Sequence, residues 1–201
     1  MDVTSFVLVA LSLIGLLNLT LVLRVSARLR AADHIRYERE HDGEPLPLGA
    51  AAPEFNAMTL AGQGVTGQRL AGRPVLYLLL SPTCDHCRDV HPLLGDLAPL
   101  AQRAAGAQVV VVTDVGPKRA RDWLALVRDE DGVTVSVPVL AAPMSRTTMV
   151  VDYNPPGLMP YFCLVDAAGR IAARGPVGGP DWRAQLASWQ EREPVGTPGR
   201  D

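Results

Sequence analysis

The chain has 201 residues, a formal net charge of −2 and 48% hydrophobic residues, with 20% charged and 5% aromatic. The near-neutral balance gives no electrostatic case for nucleic acid, which needs a concentrated basic face, and the apolar content excludes a disordered acidic chain. Three cysteines exclude a small secreted disulfide scaffold, since an odd count leaves one thiol over, and the length suits one domain with a remainder.

The remainder lies at the start. Phe6–Leu23 is an uncharged run of 18 residues, FVLVALSLIGLLNLTLVL. As a helix it would span about 27 Å, close to the hydrocarbon thickness of a bilayer. No Lys or Arg precedes it, and its apolar core is too long for a cleaved signal peptide. Residues 1–27 are therefore expected to form an uncleaved anchor that meets the membrane through residues 6–23. Arg24, Arg28, Arg30, Arg36 and Arg39 follow the span, and the positive-inside rule alone would put the C-terminal domain in the cytoplasm. Residues 28–48 read as a polar helical extension and linker, closed by Pro45, Pro47 and Gly49.

Residues 49–193 read as one α/β domain. Val75–Leu80 (VLYLLL) is a continuous apolar run of strand length, as expected for a strand covered on both faces. Leu93–Ala105 has helical spacing, Gln108–Thr113 is a second buried strand, and Lys118–Arg128 is a second helix. Val133–Leu140 is expected as a third strand. Tyr161–Val165 and Arg170–Arg174 flank Asp166-Ala167-Ala168-Gly169, a hairpin turn signal. Trp182–Trp189 closes the domain as an amphipathic helix, and residues 194–201 form a Pro/Gly-rich tail expected to fray. This order implies a central mixed sheet flanked by helices.

Cys84-Asp85-His86-Cys87 follows the first strand through Ser81-Pro82-Thr83, and a helix is expected from about the second cysteine. Helix N-termini present unpaired N–H groups that favour a thiolate, and two intervening residues let the second sulfur close a disulfide across the turn. Cys84 is thus the expected nucleophile and Cys87 the resolving thiol. His86 and Asp85 would tune the pair in opposite senses. Zinc or copper binding is the rival chemistry, with His86, His91 and Cys163 as the only further ligands; a CxxC between strand and helix favours redox chemistry. Downstream, Met159-Pro160 leads an apolar strand. X–Pro bonds alone have an appreciable cis population, and a cis bond here would bring the Met159 backbone beside the sulfurs as a substrate groove. Cys163 lies in that strand and reads as a buried structural thiol.

Together these residues resemble the thioredoxin superfamily in its membrane-anchored, cytochrome-maturation-like branch. The resemblance runs from about Gly49 to Trp189. Gly49-Ala50-Ala51-Ala52-Pro53-Glu54-Phe55 is similar to that branch's opening, and Leu60-Ala61-Gly62 with Leu70-Ala71-Gly72-Arg73-Pro74 to its N-terminal hairpin and lead into the central strand. LLLSPTCDHC, LMPYFCLVDAAGRIAARG and the last helix resemble the methylamine-utilisation accessory thioredoxin family more closely still. The resemblance implies a thioredoxin-like fold and a thiol–disulfide oxidoreductase acting on protein thiols. It implies a redox partner protein and no cofactor beyond a Cys84–Cys87 disulfide. It also implies a role in disulfide formation during methylamine dehydrogenase maturation outside the cytoplasm, opposite to the side the arginines favour. Cys84 and Cys87 match the redox pair, Pro92 the proline that kinks the active-site helix, and Pro160 the cis-proline. Where many thioredoxins carry a buried carboxylate ahead of the first cysteine this chain has Leu78, and where the cytochrome-maturation group carries Glu beyond the second it has Val90. No base is therefore expected for Cys87 unless His91 or solvent serves, which favours oxidase or isomerase work over reduction. A peroxiredoxin does not fit, because Pro82 and Thr83 adjoin Cys84. A metal-handling protein or a non-catalytic adaptor on the same scaffold is the alternative function.

Overall fold

The computed structural model describes residues 43–192, together with 15, 16 and 18–20. The chain divides into two compact units, Met1–Asp42 and Gly43–Asp201, and the second holds the sheet, its helices and all three cysteines. Most of the expected anchor, the extension ahead of residue 43 and the tail lie outside the described residues; those described within the anchor, 15, 16 and 18–20, are helical and exposed. Among the described residues no helix is long and apolar enough to cross a membrane.

Seven strands form one sheet: β1 (Asn56–Thr59), β2 (Gly64–Thr66), β3 (Val75–Leu80), β4 (Gln108–Thr113), β5 (Val139–Ala141), β6 (Tyr161–Val165) and β7 (Ile171–Pro176). Their order is β2-β1-β5-β4-β3-β6-β7. The β3, β4 and β5 strands run parallel, and β6, β7, β1 and β2 add antiparallel. Among the described residues of the second unit, five α-helices accompany them: α1 (Asp85–Arg88), α2 (Leu94–Ala105), α3 (Pro117–Asp131), α4 (Met149–Tyr153) and α5 (Pro180–Arg192). The expected mixed sheet with flanking helices is the fold found.

Every residue of β3 is buried, because successive side chains point to opposite faces and both faces are covered. Leu76, Leu78 and Leu80 join Leu94, Leu97, Trp123, Trp182 and Trp189 on one side. Val75, Tyr77 and Leu79 join Phe55, Met149 and Tyr153 on the other. The Phe55, Tyr77 and Tyr153 rings pack edge-to-face at 5.2–5.9 Å, the arrangement their quadrupoles favour.

Two turns follow directly from sequence. At Asp166-Ala167-Ala168-Gly169 the Asp166 carboxylate accepts the N–H groups of Ala168 and Arg170 at 2.9 and 2.8 Å, while Gly169 takes φ +74°, which only glycine adopts without cost. Gly62, at φ +82°, does the same between β1 and β2. Ahead of β1 the chain crosses the β7 edge: Gly49 N–H donates to Ile171 O at 2.8 Å and Ile171 N–H to Ala50 O at 2.9 Å, covering an edge that would otherwise be open to pairing.

The expected strand over Val133–Leu140 is reduced to Val139–Ala141. Pro138 lacks the N–H a ladder needs, so Val133, Val135 and Val137 pack on the core without strand pairing. Their alternation reports one buried face, which an extended loop can also supply. The helix α4 is not legible in its β-branched sequence, Met149-Val150-Val151-Asp152-Tyr153, and forms because Met149, Val150 and Tyr153 are buried against the sheet.

Phe162 is fully buried on β6 and packs its ring 5.1 Å from that of Trp182 on α5. Phe162→Ala should cost about 3–5 kcal/mol of unfolding free energy, read from urea denaturation followed by tryptophan fluorescence. A loss below about 1 kcal/mol would mean that the α5 side of the core repacks freely.

Candidate redox site

Beyond Leu80 the chain leaves the sheet and delivers the cysteines within one turn. Cys84 N–H donates to Ser81 O at 3.2 Å and Cys87 N–H to Cys84 O at 3.0 Å. The helix α1 begins immediately after Cys84, ahead of the start near Cys87 that the sequence pattern suggests. Pro92 sits in a separate 3-10 turn, His91–Leu93, that divides α1 from α2, so a proline break occurs where the resemblance implies one. Cys84 is half-buried, and Cys87 is fully buried on the α2 side of the sheet.

Both thiols are free and belong to one hydrogen-bonded chain. Ser81 N–H donates to Cys87 Sγ at 3.4 Å, Cys87 and Cys84 share a hydrogen bond, and Cys84 Sγ donates to Met159 O at 3.5 Å. Burial pushes the Cys87 thiol well up, and its hydrogen bond to Cys84 adds to that, so Cys87 holds its proton while Cys84 faces outward. The Met159–Pro160 bond is cis, and the Met159 carbonyl stands beside the half-buried Cys84 sulfur. A residue that sequence reading missed supports this loop: buried Asn154 donates through Nδ2 to Leu158 O at 2.7 Å and accepts Leu158 N–H at 3.2 Å. Its signal is the Asn154-Pro155-Pro156-Gly157 turn pattern.

The other expected residues are placed unequally. Asp85 and His86 are exposed on α1, and His86 Nδ1 lies 3.8 Å from the Asp89 carboxylate. His91 is buried, with its ring 4.8 Å from that of Trp123 and Nδ1 3.2 Å from Arg88 O. Burial lowers its pKa, disfavouring the charged form, and neither ring nitrogen hydrogen-bonds a sulfur among the described residues. With Arg88, which pairs with Glu130 and Asp131 at 2.9 and 2.6 Å, it ties the active-site turn to α3. Cys163 is buried in the core of the opposite sheet face, where burial pushes its thiol up to about 12. The residues that a metal site would need are therefore not brought together, and among the described residues no three His, Cys, Asp or Glu side chains are disposed to hold a metal.

A carboxylate that the sequence pattern does not single out, Asp114, stands beside the active-site turn. Neighbouring strands set its position: Leu80 is in register with Thr113, so the next residues, Ser81 and Asp114, emerge side by side. Asp114 Oδ2 accepts the Ser81 hydroxyl at 2.9 Å, and that hydroxyl is also 2.9 Å from Thr83 Oγ1. Burial, opposed by the Ser81 hydrogen bond and Arg119, raises the Asp114 pKa, and the Asp114 charge in turn raises that of Cys87. It is not legible along β3 or α1 because it follows the neighbouring strand β4.

No family model matches the chain. Among curated proteins it is 28% identical to methylamine utilization protein MauD of Paracoccus versutus over 64% of this chain and 58% of that one. It is 31% identical to MauD of Methylorubrum extorquens over 64% of this chain and 57% of that one. The chain thus spans less than two thirds of the length of the curated relatives it matches. Among solved structures it resembles the thioredoxin domain of a thiol-disulfide oxidoreductase from Bacteroides vulgatus, with TM-score 0.54, 22% identity, and coverage of 72% of this chain and 98% of that one. The chain is therefore similar in sequence to MauD proteins, and it has a thioredoxin-like fold and a Cys84–Cys87 pair.

Because burial raises the folded pKa of Asp114 above its unfolded value, the native state binds a proton that the unfolded chain releases, and stability falls as pH rises through that window. Asp114→Asn removes the charge and keeps the shape. Its Tm should exceed that of the parent by roughly 2 °C or more at pH 8, with the gap closing toward pH 4; calorimetry across pH checks this, and a gap that grows on acidification would contradict it.

Proposed function

We propose that this chain is a membrane-tethered thiol–disulfide oxidoreductase of the MauD type. It acts on protein thiols outside the cytoplasm, in disulfide formation during maturation of methylamine dehydrogenase or a similar protein. The observation that carries the reading is the placement of one half-exposed and one fully buried thiol at the end of β3, with the Met159 carbonyl 3.5 Å from the outer sulfur.

That geometry supports a two-step cycle. In oxidation, a client thiolate attacks Cys84 Sγ of the Cys84–Cys87 disulfide and Cys87 leaves as the buried thiol. A second client thiol then displaces Cys84, and the client holds the disulfide while both cysteines are reduced. A redox partner protein would restore the pair. Only Cys84 can meet the client, because Cys87 is fully buried. Methylamine utilisation comes from the relatives' name, delivery of a disulfide from the resemblance, and tethering from the Phe6–Leu23 run. The extracytoplasmic side accords with the redox compartment in which protein disulfides persist.

Cys84→Ser should abolish exchange with a scrambled or reduced model protein, to roughly 100-fold or more below the parent, since Cys84 carries the mixed disulfide through which every step passes. Cys87→Ser should instead accumulate mixed disulfides visible on non-reducing gels. Full activity in Cys84→Ser would remove the assignment, and a parent protein without exchange activity would favour the adaptor reading. A C-terminal reporter fusion tests the topology: phosphatase activity is expected, and activity only of a cytoplasmic reporter would reverse the side.

A further inference from the structure

On the sheet face away from Cys84 and Cys87 the fold leaves a cavity of about 560 Å³, within the size range of small-molecule sites. It opens beside Val75, the first residue of β3, so about 16 Å of strand separate it from the cysteine turn. Its floor is the edge-to-face group of Phe55, Tyr77 and Tyr153. The Tyr153 hydroxyl is already used, donating to Pro53 O at 2.8 Å and so tying the segment ahead of β1 to α4. Tyr77 differs. Only 3% of it is exposed, yet its hydroxyl has no hydrogen-bond partner among the described residues and is not sealed off from the cavity. Burial, with Cys163 alongside, pushes the Tyr77 pKa up, so the phenol keeps its proton and stays a donor. The walls also carry charge. The guanidinium groups of Arg73 and Arg146 make no ion pair or hydrogen bond among the described residues. Of the two acids there, Asp166 is committed to the N–H groups of Ala168 and Arg170, which leaves Glu54 as the single uncommitted carboxylate.

We propose that this cavity is a second site, for a small aromatic carboxylic acid that also carries an oxygen acceptor. Each part of that ligand answers a group in the cavity. Three rings in edge-to-face contact form a floor on which a further ring gains more than its buried area alone. The Tyr77 hydroxyl is a buried donor that lacks an acceptor, and leaving such a group unpaired is costly. A carbonyl or ether oxygen beside the bound ring satisfies it. Two unpaired guanidinium groups offer the forked geometry that suits a carboxylate. With Glu54 opposing them, a single negative charge is the match, and a cation is disfavoured. The site shares no residue with the cysteine turn, and it holds its ligand whichever direction thiol exchange runs.

The probe is 4-oxo-4-phenylbutanoate, titrated onto the full chain in nanodiscs by saturation-transfer NMR, with empty nanodiscs subtracted. It should bind saturably with a dissociation constant of about 1 mM or below, the strength expected of a ligand this small. Its primary amide, which lacks the charge, should bind at least about tenfold more weakly. The double variant Arg73→Gln, Arg146→Gln should erase that difference; both side chains are exposed, so the fold tolerates their loss. Removing the carbonyl, as in 4-phenylbutanoate, should weaken binding to the parent about threefold or more. In Tyr77→Phe, which keeps the ring of the floor, the two acids should bind equally. Absence of saturable binding up to about 10 mM overturns the proposal. So does an amide that binds as well as the acid, or a charge preference that survives in the double arginine variant.

Discussion

The structure depends on the complete enclosure of β3. Parallel β4 and antiparallel β6 take up its ladder, and both of its faces carry cores, so no polar group can appear along its length without a desolvation cost. Chemistry is possible only where the strand ends. Ser81 is the first residue beyond that end, and the cysteine turn follows at once. The parallel neighbour ends in register, and for the same reason its first residue beyond the sheet, Asp114, is also polar.

Enclosure also explains why the two thiols differ. Cys87 points back into the α2-side core and keeps its proton, while Cys84 sits at the rim against Met159 O. One turn of helix therefore separates a sulfur at the protein surface from one that is fully enclosed. Two supports on other elements hold the turn. Arg88 and His91 fix it to α3, and Asn154 braces the loop that carries Met159 and Pro160. Asp85 and His86, the residues between the cysteines, face solvent and take no part in this framework.

Legibility in the sequence followed the physics of each element. The β3, β4 and β6 strands were readable to the residue because runs such as VLYLLL and QVVVVT fit only doubly buried strands. The Asp166–Gly169 turn was readable because its hydrogen bonds are local. The segment Val133–Val137 misled because period-two burial does not require a ladder partner, and α4 was hidden because tertiary burial outweighed weak helix propensity. At the site, the CxxC pair and the Met159-Pro160 strand entry were legible from spacing and context. Asp114 and Asn154 were not, since their partners lie 33 residues away and in a loop return.

By itself the sequence determined what local chemistry dictates: which runs must be buried, where the turns fall, and that two thiols lie one helical turn apart. Tertiary structure alone decided how those pieces meet. Strand register brought Asp114 beside Ser81, the sheet put Cys163 on the face away from Cys87, and packing turned His91 into the core against Trp123. Spacing along a chain specifies contacts within a few residues. Contacts between strands arise only from the order in which they pair, and that order is a property of the whole core.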